Sequence, residues 1–111
     1  MLKKLNAAMD YIEAHLEEDL SLEQLAGEFF VSKYYIAHLF KDNMGLSIHQ
    51  FIRKKRLAAC RDAIGGREKI SQVYLRYGFK DYSSFYRAFK KEYGIAPREF
   101  QDTVAGVIKR E

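Results

Sequence analysis

Apolar residues return every three or four positions along this chain, and no stretch alternates with period two over a useful length. Leu5, Met9, Ile12 and Leu16 set the rhythm at the start and predict a first helix over residues 3–18. Ser21 caps a short second helix, "LEQLAGEF", with Gln24 three residues on as in a capping box. Ser32 caps a third, whose stripe is Ile36, Leu39 and Phe40 and which ends near Gly45. Ser47 opens a long fourth helix through Phe51, Ile52, Leu57, Cys60 and Ile64, stopped by Gly65-Gly66. A fifth carries Ile70, Val73 and Tyr77 and stops at Gly78. Asp81 caps the sixth, with Phe85, Ala88 and Phe89 inward and Gly94 at its end. Pro97 takes a first-turn place in the last helix, which holds Phe100, Val104 and Ile108. The pattern is all-α: seven helices and no strands.

The second half replays the first. Aligning Gly45 with Gly94 gives an offset of 49 residues, which lays Phe40 on Phe89, Lys41 on Lys90 and Phe51 on Phe100. The repeated unit is a short helix, a tight turn, a second helix, a glycine and a third helix. The first three of these form a helix-turn-helix, whose second helix enters the major groove of DNA while the first crosses the backbone. Each copy carries part of the usual turn signature. The first has small Ala26 where its helices touch but Phe30 where glycine is common, and the second has Gly78 at the turn but bulky Tyr74 at the contact. The organisation expected is a first subdomain over 1–46, a linker helix over 47–64 and a second subdomain over 65–111.

Charge sharpens this. Residues 1–46 hold four Lys/Arg against eight Asp/Glu, and residues 47–111 hold fifteen against seven, so the formal +4 of the chain sits in its C-terminal half. A basic half points to a polyanion, nucleic acid first among candidates. With 111 residues the chain has room for one domain or two very small ones. No apolar run approaches membrane-spanning length, and the amphipathic start is not a secretory signal. Cys60 stands alone, which excludes an internal disulfide and a multi-cysteine metal site and fits the reducing cytoplasm. Its core-facing position reads as an inert buried thiol.

The segments "LSLEQLAGEFFVSKYYIAHLFKDNMGLSIHQFIRKKRL" and "KISQVYLRYGFKDYSSFYRAFKKEYGIAPREF" resemble the AraC/XylS family of bacterial transcription regulators. The most specific part is GF-x-D-x-S-x-F-x-R-x-F-K-K-x-x-G-x-x-P, from Gly78 to Pro97. The resemblance covers nearly the whole chain. It implies a seven-helix DNA-binding domain of two helix-turn-helix subdomains joined by a long helix. Some family members stand alone, and others carry this unit at the C-terminus of a sensor or response regulator. Two positions depart from the family: Tyr74 where alanine is usual, and Ala96 where a serine usually precedes the proline. The second removes a cap oxygen worth about 1 kcal/mol.

The residues alone also nominate readers. With Ile36, Leu39 and Phe40 inward, Tyr34, Ala37, His38 and Lys41 take the opposite face of the third helix at i, i+3, i+4, i+7. The offset of 49 carries them onto Ser83, Tyr86, Arg87 and Lys90, with Lys33 and Tyr82 in the N-terminal turns. Expected base readers are Tyr34, Ala37, His38, Tyr82, Ser83, Tyr86 and Arg87. Arg87 suits guanine O6 and N7 bidentately, and the Ala37 methyl suits thymine. Expected phosphate contacts are Ser21, Lys33, Lys41, Ser47, Ser71, Lys90 and Arg98, as cations or at helix starts. Plainer roles compete: about half of Tyr34, Tyr35, Tyr82 and Tyr86 would pack against neighbours, and Arg87 could pair with Asp81. His15 and His49 read as surface residues, "EAHLEEDL" as a solvent face, and "RKKR" (53–56) as charges spread around a helix.

An enzyme finds little support, because Glu13, His15 and Glu17 form no HExxH and no P-loop or nucleophile motif is present. No cofactor or metal is expected. A helical interaction module, for instance an RNA polymerase adaptor, is the other reading, but it gives Arg87 between tyrosines no task. A connecting helix of about 17 residues is about 25 Å long. With its turns it would set two readers about 34 Å apart, one helical repeat of DNA. A monomer would then cover an asymmetric site of about 20 base pairs.

Overall fold

The computed structural model describes residues 2–110 in backbone and residues 3–106 in side chain. Among these residues there are seven helices and no strand: α1 (Leu2–Ala14), α2 (Leu22–Glu28), α3 (Lys33–Met44), α4 (Ile48–Gly65), α5 (Ile70–Arg76), α6 (Tyr82–Tyr93) and α7 (Pro97–Arg110). The chain divides into two compact units, residues 1–55 and 56–111, and the division falls within α4.

The first unit gathers α1, α2, α3 and the start of α4 around Leu5, Ala8, Ile12, Leu25, Ile36, Phe40, Phe51 and Ile52. Phe40 and Phe51 meet edge to face at 5.4 Å. The second unit gathers the end of α4 with α5, α6 and the start of α7 around Leu57, Cys60, Ile64, Val73, Phe85 and Phe89. The fourth helix is therefore more than a linker, since it supplies core side chains to each unit. Val104 is half-buried, and the side chain of Ile108 lies outside the described residues. Burial pushes the Cys60 thiol up to about 12, which leaves it protonated at physiological pH, as an inert thiol requires.

The ends of α1, α2 and α5 fall short of the sequence reading, α2 stopping at Glu28 with Phe29 as its C-cap. The first helix stops at Ala14 rather than at residue 18, and residues 15–17 form a turn. There the Tyr11 carbonyl pairs with His15 Nδ1 (2.7 Å) instead of a backbone amide one turn on, and the imidazole stacks on the Tyr11 ring. The fourth helix stops at the Gly65-Gly66 pair, as read from sequence, although neither glycine takes the left-handed turn. Gly65 is still helical, and Arg67 takes the turn at φ +72°, with Glu68 N–H donating to Ala63 O and Arg67 N–H to Ile64 O. In the fifth helix Tyr77 lies one residue past Arg76, as the C-cap. The bend after α4 is then pinned by Gln101 of α7, whose Nε2 donates to the carbonyls of Ile64 and Glu68.

The tight turns after α2 and α5 share one geometry. In each, a residue with positive φ follows the cap, Phe30 at +54° and Gly78 at +86°. The next amide donates back five residues, Val31 to Ala26 and Phe79 to Tyr74, both at 3.0 Å. These turns match at an offset of 48, one less than the helices that follow, because Lys80 is an added residue before the second cap. At Gly78 the left-handed φ demands glycine, and a Cβ would also lie 3.2 Å from Arg56 Nη1, close enough that the guanidinium would have to shift slightly. At Phe30 nothing compensates the left-handed backbone, since its side chain is 94% exposed. Phe30→Gly should therefore stabilise the first unit by about 1 kcal/mol, seen as a higher midpoint in chemical denaturation. An unchanged midpoint would show that the Phe30 conformation carries no strain.

Candidate nucleic-acid interface

The third and sixth helices are built alike from their ends inward. Ser32 Oγ accepts the Tyr35 N–H (3.0 Å), and Asp81 Oδ1 accepts the Ser84 N–H (2.7 Å), so both start on a side-chain cap. Both close on a left-handed glycine, Gly45 at φ +70° and Gly94 at +73°, whose N–H returns to Lys41 O and Lys90 O. Ile36, Leu39 and Phe40 bury one side of α3, and Phe85, Ala88 and Phe89 bury the matching side of α6. The caps fix where each helix begins, and the buried stripe fixes which side is left to solvent.

Asp81 shows how firmly the sixth helix is started. The amide of Ser84, chiefly, holds its carboxyl below the ordinary carboxylate value, with its hydroxyl and Arg87 helping. A depressed carboxyl stabilises the fold above its ordinary value, and this is lost as pH falls through the depressed one. Asp81→Ala should thus lower stability at neutral pH, and the gap to the unaltered protein should close in acid. A gap that persists at low pH would assign the cap to something other than the ionised carboxylate.

On α3, Tyr34 is 70% exposed, His38 and Lys41 are exposed, and Ala37 is half-buried. Lys33 Nζ lies 3.8 Å from a Glu23 carboxylate oxygen and over the Tyr34 ring, so an acidic neighbour already competes for it. Tyr35 faces Lys4, whose Nζ is 5.9 Å from the ring centre. Two depressions flank the helix. One, of about 520 Å³, is lined by Ser21, Glu23, Lys33, Tyr34, Ala37 and His49 among others. The other, of about 260 Å³, is lined by Ala37, His38, Lys41, Ser47 and His49 with Leu22 and Ile48. They bring Ser21 and Ser47 to the same face as the candidate readers. His49, read from sequence as a plain surface residue, lines both. Its signal was its place two residues after the Ser47 cap, in the first turn of α4.

Ser21 and Ser47 are both engaged as caps. Ser21 Oγ accepts Gln24 N–H while Gln24 Oε1 accepts Ser21 N–H (3.1 and 3.0 Å). Ser47 and Gln50 form the same reciprocal pair at 3.1 and 2.9 Å, a second capping box that the sequence reading did not single out.

On α6, Ser83, Arg87 and Lys90 are exposed, Tyr86 is half-buried and Tyr82 is 40% exposed. No ion pair or hydrogen bond holds the Arg87 side chain among the described residues, and its expected competitor Asp81 is committed to the Ser84 amide. Tyr82 and Tyr86 lie 6.0 Å apart, and Lys90 Nζ sits 5.8 Å from the Tyr86 ring centre. Ser71 is exposed within α5 and Arg98 is exposed at the start of α7, but neither caps: Lys69 precedes α5 without a side-chain cap bond. Ala96 is buried where the family's serine would stand.

The "RKKR" run divides as its helical spacing requires. Arg53 and Lys54 are exposed, Lys55 pairs with Glu13 at 2.8 Å, and Arg56 lies half-buried against the Gly78 turn. By formal charge the first unit carries seven Lys/Arg against eight Asp/Glu and the second twelve against seven, so the basic excess belongs to the unit that bears Arg87. No helix is long and apolar enough to cross a membrane, and no group of three or more His, Cys, Asp or Glu could hold a metal ion, among the described residues.

Known proteins show the same arrangement. The chain is 36% identical over 103 residues to "Probable transcriptional regulator LumQ" of Photobacterium leiognathi, covering 90% of this chain and 42% of that protein. It is 29% identical over 100 residues to "Multiple antibiotic resistance protein MarA" of Escherichia coli, covering 89% of this chain and 79% of MarA. It thus spans under half the length of LumQ and most of MarA. Among solved structures, a transcriptional regulator from Chromobacterium violaceum, described as AraC-type DNA-binding domain-containing, superimposes with a TM-score of 0.88 at 28% identity, over 94% of each chain. The helix-turn-helix domain family matches residues 25–103, from α2 into α7. With that match and these likenesses, the chain belongs to the helix-turn-helix domain family of AraC/XylS type.

Proposed function

We propose that this chain binds double-stranded DNA sequence-specifically in bacterial transcription regulation, with α3 and α6 as recognition helices in successive major-groove segments. The observation that carries the reading is the paired construction. Each unit holds one helix capped at its start, closed by a left-handed glycine and buried on one side, with DNA-competent groups on the other. Kinship with LumQ and with the AraC-type domain of the Chromobacterium violaceum regulator supports it. The family is not an enzyme family, and nothing in the reading calls for a cofactor.

Roles follow from chemistry and exposure. Arg87, held by no ion pair or hydrogen bond among the described residues, reads a guanine, and Ser83, Tyr82 and Tyr86 complete the second reader. Tyr34, Ala37 and His38 form the first. Lys41, Lys90 and Arg98, with the helix starts at Ser21, Ser47 and Ser71, position the phosphates, and Lys33 joins them by exchanging Glu23 for DNA. The unit acts as a monomer in the cytoplasm, on a site without two-fold symmetry, and also touches RNA polymerase.

Footprinting tests the central claim. On a duplex selected from a random pool, protein shown to be monomeric should protect two segments centred about one helical turn apart. Protection of a single segment would overturn the two-reader mode. Binding to RNA polymerase with no preference among duplexes would favour the adaptor reading instead.

A further inference from the structure

The two recognition helices are alike in build but not in what lies along their exposed side. At the turn-to-helix contact the first unit has Ala26, which is buried, and the same geometric position in the second is Tyr74. A tyrosine cannot fill an alanine's place. Its ring instead stacks on the core ring of Phe85 (5.7 Å between centres, 18° between planes) and meets Tyr82 at 5.8 Å and 65°. Tyr82 in turn adjoins Phe85 at 6.3 Å and Tyr86 at 6.0 Å, and Tyr86 lies under Lys90. An aromatic line therefore runs from Tyr74 onto α6 through Tyr82 and Tyr86 to Lys90, at i, i+4, i+8 of the recognition helix. The matching positions of α3 are Lys33, Ala37 and Lys41, which cannot form such a line.

We propose that Tyr74 is a positioning residue that sets the base preference of α6 by holding the Tyr82 ring in one pose. The inference rests on the DNA-reading function proposed above and deepens it. Tyr82 has rings on three sides, from Tyr74, Phe85 and Tyr86, yet keeps 40% of its surface for a ligand. A side chain already ordered before contact loses less freedom on binding, so a wrong base meets a fixed surface that does not adapt to it. Among the described residues, Tyr74 supplies the one ring contact to Tyr82 from outside α6, from the edge of the core. Removing it releases Tyr82 while Phe85 stays in place.

The test compares the unaltered chain with Tyr74→Ala, Tyr74→Phe, Tyr82→Ala and the double variant Tyr74→Ala/Tyr82→Ala. The duplexes are a selected site and versions changed one base pair at a time, each at two salt concentrations. Tyr74→Ala and Tyr82→Ala should each lower discrimination by about three- to tenfold at the same base pair, on the scale of one aromatic pair. The double variant should lose no more than Tyr82→Ala alone, and Tyr74→Phe, which keeps the ring, should keep the preference. The salt dependence, which counts phosphates, should not move. Should Tyr74→Ala fail to fold, Tyr74→Leu fills much of the volume without a ring and should show the same loss.

Equal weakening on every duplex, or retained discrimination in Tyr74→Ala beside a loss in Tyr82→Ala, would overturn the positioning role and leave the DNA-reading function standing. An unaltered chain with no preference among duplexes would overturn both.

Discussion

Phe89→Ala should cost about 3–5 kcal/mol and leave the second unit largely unfolded at physiological temperature. The ring is fully buried, and three others press on it: Tyr93 at 4.8 Å, Phe85 at 5.6 Å and Phe100 at 6.0 Å between centres. Those neighbours are bulky rings packed on the same core, so they fill the vacated space only in part, and the cavity adds its cost to the lost transfer free energy. A domain whose whole stability is about 5–15 kcal/mol has little to spare against such a loss. Denaturant titration followed by circular dichroism measures it. A loss under about 1 kcal/mol would show that α6 can re-seat without this ring. Its counterpart Phe40, with one ring partner in Phe51, should cost less when truncated.

The second large effect concerns recognition and leaves the fold intact. Arg87→Ala should remove about 1–3 kcal/mol of discrimination at one base pair and leave preference elsewhere in the site unchanged. Arg87 is exposed on a helix whose start is fixed by Asp81 and whose other side is buried, and among the described residues no ion pair or hydrogen bond holds its guanidinium. A fork of donors held at a set height along the groove reads a base edge at little cost in freedom. Lys41→Ala and Lys90→Ala give the contrast: binding should weaken about equally on every sequence, and the salt slope should fall by about one. If Arg87→Ala behaved like the lysine variants, Arg87 would be a phosphate contact, and the base reading of α6 would pass to Ser83 and the tyrosines.

Much of the architecture was legible from local chemistry. The caps at Ser21, Ser32 and Asp81 and the left-handed glycines at Gly45, Gly78 and Gly94 announce themselves, because each acts within a few residues of backbone. The apolar stripes of α3 and α6 likewise follow from helical period alone. Reading was less secure where competing local signals met. The two glycines after Ile64 mark the stop of α4, yet the left-handed turn itself falls at Arg67. The last periodic position of α1, Leu16, suggested more helix than the Tyr11–His15 pairing permits.

Local sequence thus suffices for the set of helices and the outward sides of α3 and α6, since caps, turns and periodicity operate over one or two turns of chain. The partners were settled by packing between helices: Asp81 bonded to the Ser84 amide, Lys33 beside Glu23, His49 brought to the α3 face, and Tyr74 laid against Tyr82. Such choices depend on which side chains from different helices arrive at the same place and on how packing divides the space among them. No local pattern encodes that competition.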